Sequence, residues 1–478
     1  MGHDPINMDE KEIKKVLTGL LASLGEDHEV EVCPLSGSGS NRSYFRLFAD
    51  HRSYIATYVP DAKEGFCFIR LADAFRKAGR DVPQVLAHSG DGHFYIQEDL
   101  GDASLFSMLG GREATELIKE SLLRLVRLQQ TPESVWRKYC MAGAFDRRQA
   151  MWDLNYFKYE YLKPREIVFD EDRLEDDFER LACRLDSIKD EYMGFMMRDC
   201  QSRNVMVAER GPVFIDFQGG RPGPVLYDAV SMLWQARAGF EPEFRMKMID
   251  FYCDAFCGGQ QDKKREMLSS LGDIVLFRTL QVLGAYGFRG LVQRKAHFLL
   301  SIPGALANLS QLIDDGILDS YPELKRCAQL LTCSLSSADG KGEGGLLVEV
   351  ISFSYKKGYP DDLSGNGGGF MFDCRALHNP GRYVEYRNLT GRDKPVADFL
   401  ESQGEVEGFL KSAWALTDAA IERYVRRRFT RLQIGFGCTG GQHRSVYSAE
   451  RTAAHIRRLF PEVKVLLRHR EQNILESI

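Results

Sequence analysis

Residues 197–218 read MRDCQSRNVMVAERGPVFIDFQ and hold the most informative pattern in the chain. Two apolar runs that are typical of strands flank a tight turn near residues 209–211. Asp199 precedes this predicted hairpin, Asn204 opens it and Asp216 closes it. Phosphoryl transfer uses such a set, with one carboxylate facing the acceptor hydroxyl and an amide and a second carboxylate holding Mg²⁺. The alternative is an ordinary surface hairpin, since Asp and Asn are common turn residues.

The composition describes an ordinary globular protein. The chain has 478 residues, which suits two or three domains, with 44% hydrophobic residues and a net charge of −5. Its 11 cysteines are scattered without a C-x-x-C pair, a pattern that indicates reduced thiols in a cytoplasmic protein. Cys253 and Cys257 lack companion ligands, so we expect no zinc site. The absence of a run of about 18 apolar residues predicts no membrane segment.

Residues 10–100 are predicted to form a β-rich lobe. A Gly/Ser loop at residues 36–42 lies between predicted strands 29–35 and 43–48, and small residues let backbone N–H groups approach phosphates. At residues 98–102 the pattern breaks, and backbone groups at such a hinge can bind an adenine edge. The candidate ATP-binding residues are therefore Ser38, Gly39, Ser40, Asn41, Arg42, Arg46, Glu98 and Leu100.

The rest of the chain divides into a helical region, a linker and a second domain. Residues 101–333 are mostly helical by periodicity, apart from the hairpin and a rigid loop predicted at residues 219–224. Residues 334–345 have the Gly- and Ser-rich composition of a linker. From residue 346 to about 470, strands alternate with helices, which favours an α/β layer.

The first 335 or so residues resemble the aminoglycoside phosphotransferase-like kinases, a family with a protein-kinase-like two-lobed fold. The resemblance rests on the motifs around Asp199, Asn204 and Asp216, and it implies that they are the catalytic base and the two metal ligands. It also implies that Asp228, in Leu-Tyr-Asp, braces the catalytic loop. The RSYFRL and EDLGD motifs look most like those of the anomeric kinases of N-acetylmuramic acid and N-acetylglucosamine, which use ATP and Mg²⁺ on a C1 hydroxyl in cell-wall recycling. The expected fold is therefore an α+β two-lobed kinase domain followed by a smaller α/β domain.

Two departures from the kinase pattern matter. Met197 stands where many members have a histidine that positions the loop. The third predicted strand, residues 54–58, has no lysine for the α- and β-phosphates, although the sugar kinases that it resembles also lack one. Arg42 and Arg46 are the candidate replacements. A pseudokinase that only senses nucleotide is the alternative.

Residues 346–470 look like the C-terminal domain of the RNase adapter protein RapZ. The motifs that carry this resemblance are DCR at 373–375, LTGRDKPV at 389–396, GCTGGQHRS at 437–445 and RHR at 468–470. The family domain binds glucosamine-6-phosphate and RNA and forms oligomers. The residues expected to bind an amino-sugar phosphate here are Arg375, Asn379, Thr439, Gly440, Gly441, His443 and Arg444. Family members usually continue Asn-Pro with His, whereas Gly381 and Arg382 follow here.

The loop at residues 437–445 also supports a reading from its chemistry alone. It lies between a predicted strand and a predicted helix, so its amides and the helix N-terminus form an anion site. The C-x5-R spacing from Cys438 to Arg444 is that of a cysteine phosphatase, but Gly437 stands where such enzymes usually have His. A structural use of the glycines without any ligand is a further alternative.

Three functions follow from these patterns. The preferred one is an ATP- and Mg²⁺-dependent kinase of a cell-wall amino sugar whose C-terminal domain senses an amino-sugar phosphate or forms homo-oligomers. The second is an RNA-binding adapter, because the C-terminal domain holds an arginine-rich run at residues 423–431. A solvated helix end explains the same run. The third is a kinase of an aminoglycoside or another small alcohol, which would need an acidic pocket.

Overall fold

The computed structural model describes residues 10–25, 30–35, 42–49, 51–165, 167–293, 295–336, 345–360 and 369–478. The chain separates into two compact units, residues 1–326 and residues 327–478. The predicted fold class, a two-lobed kinase-like domain followed by an α/β domain, is confirmed.

The N-terminal lobe of the first unit is a five-stranded antiparallel sheet in the order β1-β2-β3-β5-β4. Helix α1 contributes Leu17 and Leu21 to a core cluster with Leu47, Ala56 and Ile96 from the sheet. The elements of this lobe are α1 (Glu10–Ala22), β1 (Glu31–Leu35), β2 (Ser43–Ala49), β3 (Arg52–Tyr58), α2 (Ala62–Lys77), β4 (Val85–His88) and β5 (Phe94–Glu98).

The C-terminal lobe of the first unit is mostly helical. Its helices are α3 (Leu105–Met108), α4 (Ala114–Gln129), α5 (Glu133–Trp136), α6 (Arg147–Phe157), α7 (Glu171–Asp186), α8 (Leu226–Leu233), α9 (Pro242–Cys257), α10 (Gln261–Ser269), α11 (Leu271–Tyr286), α12 (Ala296–Leu299) and α13 (Ile302–Asp314), and α14 (Pro322–Ser336) begins in this unit. Its strands are β6 (Met193–Met196), β7 (Val205–Ala208), β8 (Gly211–Phe214) and β9 (Arg221–Pro224).

The predicted hairpin is present, but the predicted rigid loop after it is partly wrong. Strands β7 and β8 pair in antiparallel register, with Val205 opposite Phe214. Residues 221–224, expected to be loop, instead form β9, which pairs with β6. Pro222 and Pro224 are tolerated because β9 pairs only with β6 in the described part of the chain. The other side of β9 has no strand there that would need the N–H donors that proline lacks.

The second unit is built on a five-stranded sheet in the order β11-β12-β10-β13-β14. The first four strands are parallel and the last is antiparallel to β13. All eight residues of β10 are buried, as is typical of a central strand in a largely parallel sheet. The elements are β10 (Leu347–Ser354), β11 (Phe370–Asp373), α15 (Lys394–Ser402), α16 (Glu405–Arg426), β12 (Arg431–Cys438), α17 (Arg444–Leu459), β13 (Lys464–His469) and β14 (Ile474–Ser477).

The predicted linker, residues 334–345, falls mostly outside the described residues, and α14 continues to Ser336, past the predicted start of the linker.

In the described part of the chain, one helical stretch, Gln261–Val292, is long and apolar enough to cross a membrane by length and composition alone, and 61% of its apolar window is buried inside the protein. A buried core helix of a globular domain passes the same test.

Gly391 lets the LTGRD segment lie directly on the start of α17. Its N–H donates to the Gln442 carbonyl oxygen at 2.9 Å. A Cβ atom at this position would lie too close to the His443 carbonyl oxygen and the Tyr447 amide nitrogen, both of which are backbone atoms that cannot move aside cheaply. The glycine of this motif is therefore required by close approach of two backbones.

Gly391→Ala should destabilise the second unit by about 1–3 kcal/mol, because the new methyl group overpacks a backbone contact. The measurement is urea unfolding followed by fluorescence of Trp414, the tryptophan of this unit. Gly408→Ala is the matched control, since its Cβ would meet nothing within 4 Å in α16. A helical Gly→Ala change there should be neutral or stabilise the unit. Equal unfolding midpoints for both variants would contradict the assigned contact.

Candidate active site

The structure brings Asp199, Asn204 and Asp216 close together. Asp199 and Asn204 precede β7 of the hairpin, and Asp216 follows β8. The Asn204 side-chain amide donates to the Asp199 carbonyl oxygen at 2.9 Å, and its Nδ2 lies 3.4 Å from Asp216 Oδ2. The Asp199 side chain is 46% exposed, so it is open to a substrate. The residues that the sequence singled out therefore lie within one small cluster.

Two residues of this cluster region adopt the left-handed backbone conformation. Arg198 has φ +73° and Asp216 has φ +62°, a region that residues with a Cβ rarely adopt. Such strain persists only where neighbouring groups hold it in place. For Arg198 the neighbour is Asp228 of α8, whose two carboxylate oxygens accept from the Met197 amide at 2.7 Å and the Arg198 amide at 2.9 Å.

Asp228 is fully buried, and burial raises its pKa to about 7 although three donors oppose that shift. The third donor is the Gln129 side-chain amide of α4, at 3.2 Å. Asp228 thus joins the catalytic loop to α4 and α8. This matches the bracing role that the sequence resemblance implied for it.

Arg278 of α11 lies beside the candidate base and was not predicted from the sequence. Its guanidinium donates to Asp199 Oδ1 at 3.1 Å and to the Tyr227 hydroxyl at 3.2 Å, while Gln201 donates to the same Asp199 oxygen at 2.6 Å. Burial acts to lower the pKa of Arg278, but Tyr227 and Asp199 outweigh it and raise the pKa. Arg278 therefore holds Asp199 in place as a charged partner.

The structure places Arg42, a candidate nucleotide-binding residue, beside the carboxylate of Asp216, the candidate metal ligand. Its guanidinium contacts Asp216 Oδ1 at 2.7 Å and Glu64 of α2 at 2.7 Å. Burial raises the pKa of Asp216, but Arg42 and a 2.7 Å hydrogen bond from Gln218 outweigh it, so the pKa is lowered. An ionised Asp216 is the form that binds a divalent cation.

Other candidate nucleotide contacts lie elsewhere. Arg46 is held by Asp99 at 2.7 Å and Asp102 at 2.8 Å, so its charge is used at the hinge. Glu98 forms a two-bond ion pair with Arg210 of the hairpin turn, and Leu100 is buried. None of Arg46, Glu98 and Leu100 is among the described residues that line the cavity at Asp199. The predicted contacts Ser38, Gly39, Ser40 and Asn41 lie outside the described residues.

A cavity of about 870 Å³ opens at Asp199 and Asp216. Its described lining is rich in positive charge. The acidic residues of the lining are Glu64, Asp153, Asp199 and Asp216, and the arginines are Arg42, Arg198, Arg203, Arg221, Arg237, Arg278 and Arg289. Phosphates and other anions are therefore better suited to this cavity than polycations are.

The oxygen ligands of Asn204 and Asp216 suit Mg²⁺. Carboxylate and amide oxygens are its preferred protein donors, and it usually keeps several waters and binds substrate phosphates as well. Among the described residues, no group of three or more His, Cys, Asp and Glu side chains could hold a metal by itself. Two protein ligands, with water or phosphate at the other positions, suit Mg²⁺ bound together with a nucleotide.

In the second unit, the structure gathers the seven predicted sugar-phosphate residues around the start of α17. Thr439 and Gly440 are exposed in the loop that follows β12, and Gly441 has φ +67°. Arg444 donates to the carbonyl oxygens of Arg375 and Leu377, both at 2.9 Å. These bonds dock the segment that carries the other candidates onto the loop.

Three of those side chains have partners within this unit. A ring nitrogen of His443 lies 2.8 Å from the Tyr386 carbonyl oxygen, and Asn379 accepts from the Gly381 amide at 3.2 Å. The Arg375 side chain pairs with Asp373 and lies 4.0 Å over the Tyr355 ring. A ligand at this loop would therefore meet backbone amides and Thr439 first.

The contacts of Cys438 and Arg444 do not favour the cysteine-phosphatase alternative. Such an enzyme needs its arginine free to bind the phosphoryl group, whereas the Arg444 guanidinium is bonded to two carbonyl oxygens. Cys438 is buried and lies 3.1 Å from the Ser445 hydroxyl. The arginine of the motif is used here to join the loop to residues 375–377.

Comparison with known proteins assigns both parts of the chain. Residues 31–265 match the model of the Phosphotransferase enzyme family, and residues 346–473 match that of the RapZ C-terminal domain. The chain thus carries a phosphotransferase-family domain followed by a RapZ C-terminal domain. The first unit has the kinase-like fold of this phosphotransferase family.

Individual relatives match one part of the chain. A "nucleotide-binding protein" of Shewanella halifaxensis is 36% identical over 35% of this chain and 54% of its own length. One from Acidithiobacillus ferrooxidans is 42% identical over 28% of this chain and 42% of its own length. The chain thus spans about half the length of the curated relatives that it matches.

Solved structures resemble this chain at low sequence identity. Choline kinase from Cryptosporidium parvum has a TM-score of 0.48 at 13% identity and covers 65% of this chain and 98% of its own. Ethanolamine kinase from Plasmodium vivax has a TM-score of 0.47 at 13% identity and covers 64% of this chain and 91% of its own.

Asp228→Asn should lower the free energy of unfolding of the first unit by about 1–3 kcal/mol, since an amide NH₂ would then face a backbone N–H donor in a buried site. Urea unfolding measured by circular dichroism checks this. Asp262→Asn is the control, because the Asp262 side chain is 92% exposed and should change stability by less than about 0.5 kcal/mol. An Asp228→Asn protein as stable as the wild type would show that the catalytic loop does not depend on this carboxylate.

Proposed function

We propose that this protein is an ATP- and Mg²⁺-dependent kinase that phosphorylates the anomeric hydroxyl of a cell-wall amino sugar, N-acetylmuramate or N-acetylglucosamine. The observation that supports phosphoryl transfer is the placement of Asp199, Asn204 and Asp216 in one cluster at a cavity. The phosphotransferase-family match of residues 31–265 supports the same reaction class. The choice of an amino sugar rests on the sequence resemblance to the anomeric sugar kinases.

In the proposed mechanism, the Asp199 carboxylate accepts the proton of the acceptor hydroxyl. The hydroxyl oxygen forms its bond to the γ-phosphorus as the bond from that phosphorus to the β,γ-bridging oxygen breaks, which leaves ADP. Asn204 and Asp216 would hold Mg²⁺, which supplies positive charge on the phosphate oxygens. Arg278 orients Asp199 through its 3.1 Å contact.

Arg42 supports the phosphates in this proposal. The third strand offers no lysine, and β3 reads RSYIATY. Arg42 lies between Glu64 of α2 and Asp216. Its guanidinium is therefore close to any phosphate that binds beside Asp216. An arginine held by an acid of α2 thus takes the place of the lysine–glutamate pair that protein kinases use.

The charge of the cavity favours this proposal over an aminoglycoside kinase. A polyamine acceptor needs an acidic pocket, and the lining here has more arginines than acids. The nucleotide-sensing adapter remains the second candidate, because the second unit carries the RapZ C-terminal match. Transfer activity distinguishes the two, since an adapter would bind nucleotide and RNA without consuming ATP in the presence of any sugar.

For the second unit we propose binding of an amino-sugar phosphate at the loop of residues 439–441, with homo-oligomer contacts and RNA contact as further roles of this domain. The N-terminus of α17 favours an anion, and Thr439 and Gly440 beside it are exposed. Glu471 lies behind Gly441, but Arg470 and Lys357 offset its charge at 3.1 Å and 2.8 Å.

Asp199→Asn should reduce transfer at least about 1,000-fold and leave ATP binding within about twofold, because the amide cannot accept the hydroxyl proton while the phosphate contacts stay. The measurement is transfer of radiolabelled phosphate from ATP to a panel of amino sugars, with ATP binding measured by calorimetry. Glu191→Gln, at an exposed site outside the cavity, is the matched control and should keep full activity. Intact ATP binding by the wild type without transfer to any hexose would overturn the proposed function.

The second unit should bind glucosamine-6-phosphate with an affinity that falls at least about tenfold in Gly440→Asp, because the new carboxylate repels the phosphate at an exposed loop position. A Cβ atom added at Gly440 would meet no other atom within 4 Å, so the change is tolerated sterically. Gly440→Ala is the control and should bind normally. Isothermal calorimetry on the full chain makes the measurement, and equal binding by both variants would place the ligand elsewhere.

A further inference from the structure

Arg221 is a buried arginine at the start of β9 that lines the cavity at Asp199. Only 9% of the residue is exposed. One guanidinium nitrogen donates to Gln149 Oε1 of α6 at 2.6 Å. Its Nε lies fully buried and has no hydrogen-bond partner among the described residues. A neutral amide oxygen is therefore the partner that the structure gives to this cation.

Its charged surroundings do not neutralise it. Arg198 lies nearby, and its guanidinium is paired with both oxygens of Asp153 at 2.6 and 2.8 Å. Burial, followed by repulsion from Arg198, lowers the pKa of Arg221, while Asp153 opposes that shift. The local sum of two arginines and one aspartate leaves an excess positive charge at the wall of the cavity.

The other buried arginines of the site differ from Arg221 in this respect. Arg42 contacts Asp216 and Glu64, and Arg278 contacts Asp199. A buried cation without a paired carboxylate is costly to fold, and at the wall of a cavity its charge is available to an anionic ligand.

We propose that Arg221 binds an oxyanion, and specifically a carboxylate on the sugar acceptor, so that the enzyme selects an acidic amino sugar over a neutral one. This inference rests on the proposed sugar kinase function. The guanidinium offers a planar fork of donors that matches the two oxygens of a carboxylate. The nucleotide phosphates are the other source of an oxyanion in this cavity, and the experiment separates the two.

The test compares N-acetylmuramate, which carries a carboxylate, with N-acetylglucosamine, which does not. In Arg221→Met, kcat/KM for the acid should fall about 10- to 100-fold, or about 1.4–2.8 kcal/mol, while kcat/KM for the neutral sugar and KM for ATP stay within about twofold. Arg221→Lys keeps the charge without the fork and should recover part of the preference.

Arg245→Met is the matched control. Arg245 is equally buried, with 7% exposed, and it too bonds to neutral amide oxygens, those of Asn308 and Gln311. It lines a different cavity of the same lobe. Its replacement should leave the ratio of the two kcat/KM values unchanged, which separates loss of a buried arginine from loss of the carboxylate contact.

Three outcomes would overturn the inference: an equal loss for both sugars, no loss for either, or a rise in KM for ATP as the main effect. Calorimetry with a non-hydrolysable ATP analogue and each sugar separates this inference from the proposed function. Binding of the acid that depends on Arg221, without turnover of any sugar, would reject the kinase and keep the carboxylate contact. Turnover of both sugars without any effect of Arg221 would keep the kinase and reject the contact.

Discussion

The buried carboxylate of Asp228 is the interaction on which the candidate active site depends. It accepts from the backbone amides of Met197 and Arg198, and so holds Arg198 at a positive φ immediately before the candidate base. Gln129 donates to it from α4, and the Tyr252 hydroxyl of α9 donates in turn to Gln129 at 2.6 Å. Three helices and the catalytic loop therefore share one hydrogen-bond network.

A second set of contacts joins Asp216 to the N-terminal lobe. Phe217 stacks on Phe68 of α2 with ring centroids 4.9 Å apart, and Glu64 on the same helix pairs with Arg42. The carboxylate of Asp216, helix α2 and Arg42 thus hold one another in position. This arrangement explains how a lobe without the usual lysine still presents a cation beside Asp216.

Much of the functional interpretation was predictable from the sequence because its signals are local. The spacing from Asp199 to Asn204 and the apolar strands around the turn identify the hairpin, since both are set by neighbouring residues. The strand-loop-helix at residues 431–459 is recognisable for the same reason. Local pattern failed at residues 221–224, where two prolines and a glycine indicated a loop and pairing with β6 made a strand.

The roles of the arginines could not be predicted, because the partner that defines each one lies far away in the chain. Arg42 directly precedes strand β2 and Arg46 lies within it, yet Arg42 contacts Asp216 and Arg46 contacts Asp99. Arg278 lies in the apolar helix α11, where nothing in the periodicity marks a partner of Asp199. The sequence by itself thus determined the candidate residues Asp199, Asn204 and Asp216, the hairpin and the two-part organisation. The tertiary structure decided which cations form ion pairs with acids and which, like Arg221, bond to a neutral amide oxygen, since charge pairing depends on distances that only the folded chain sets.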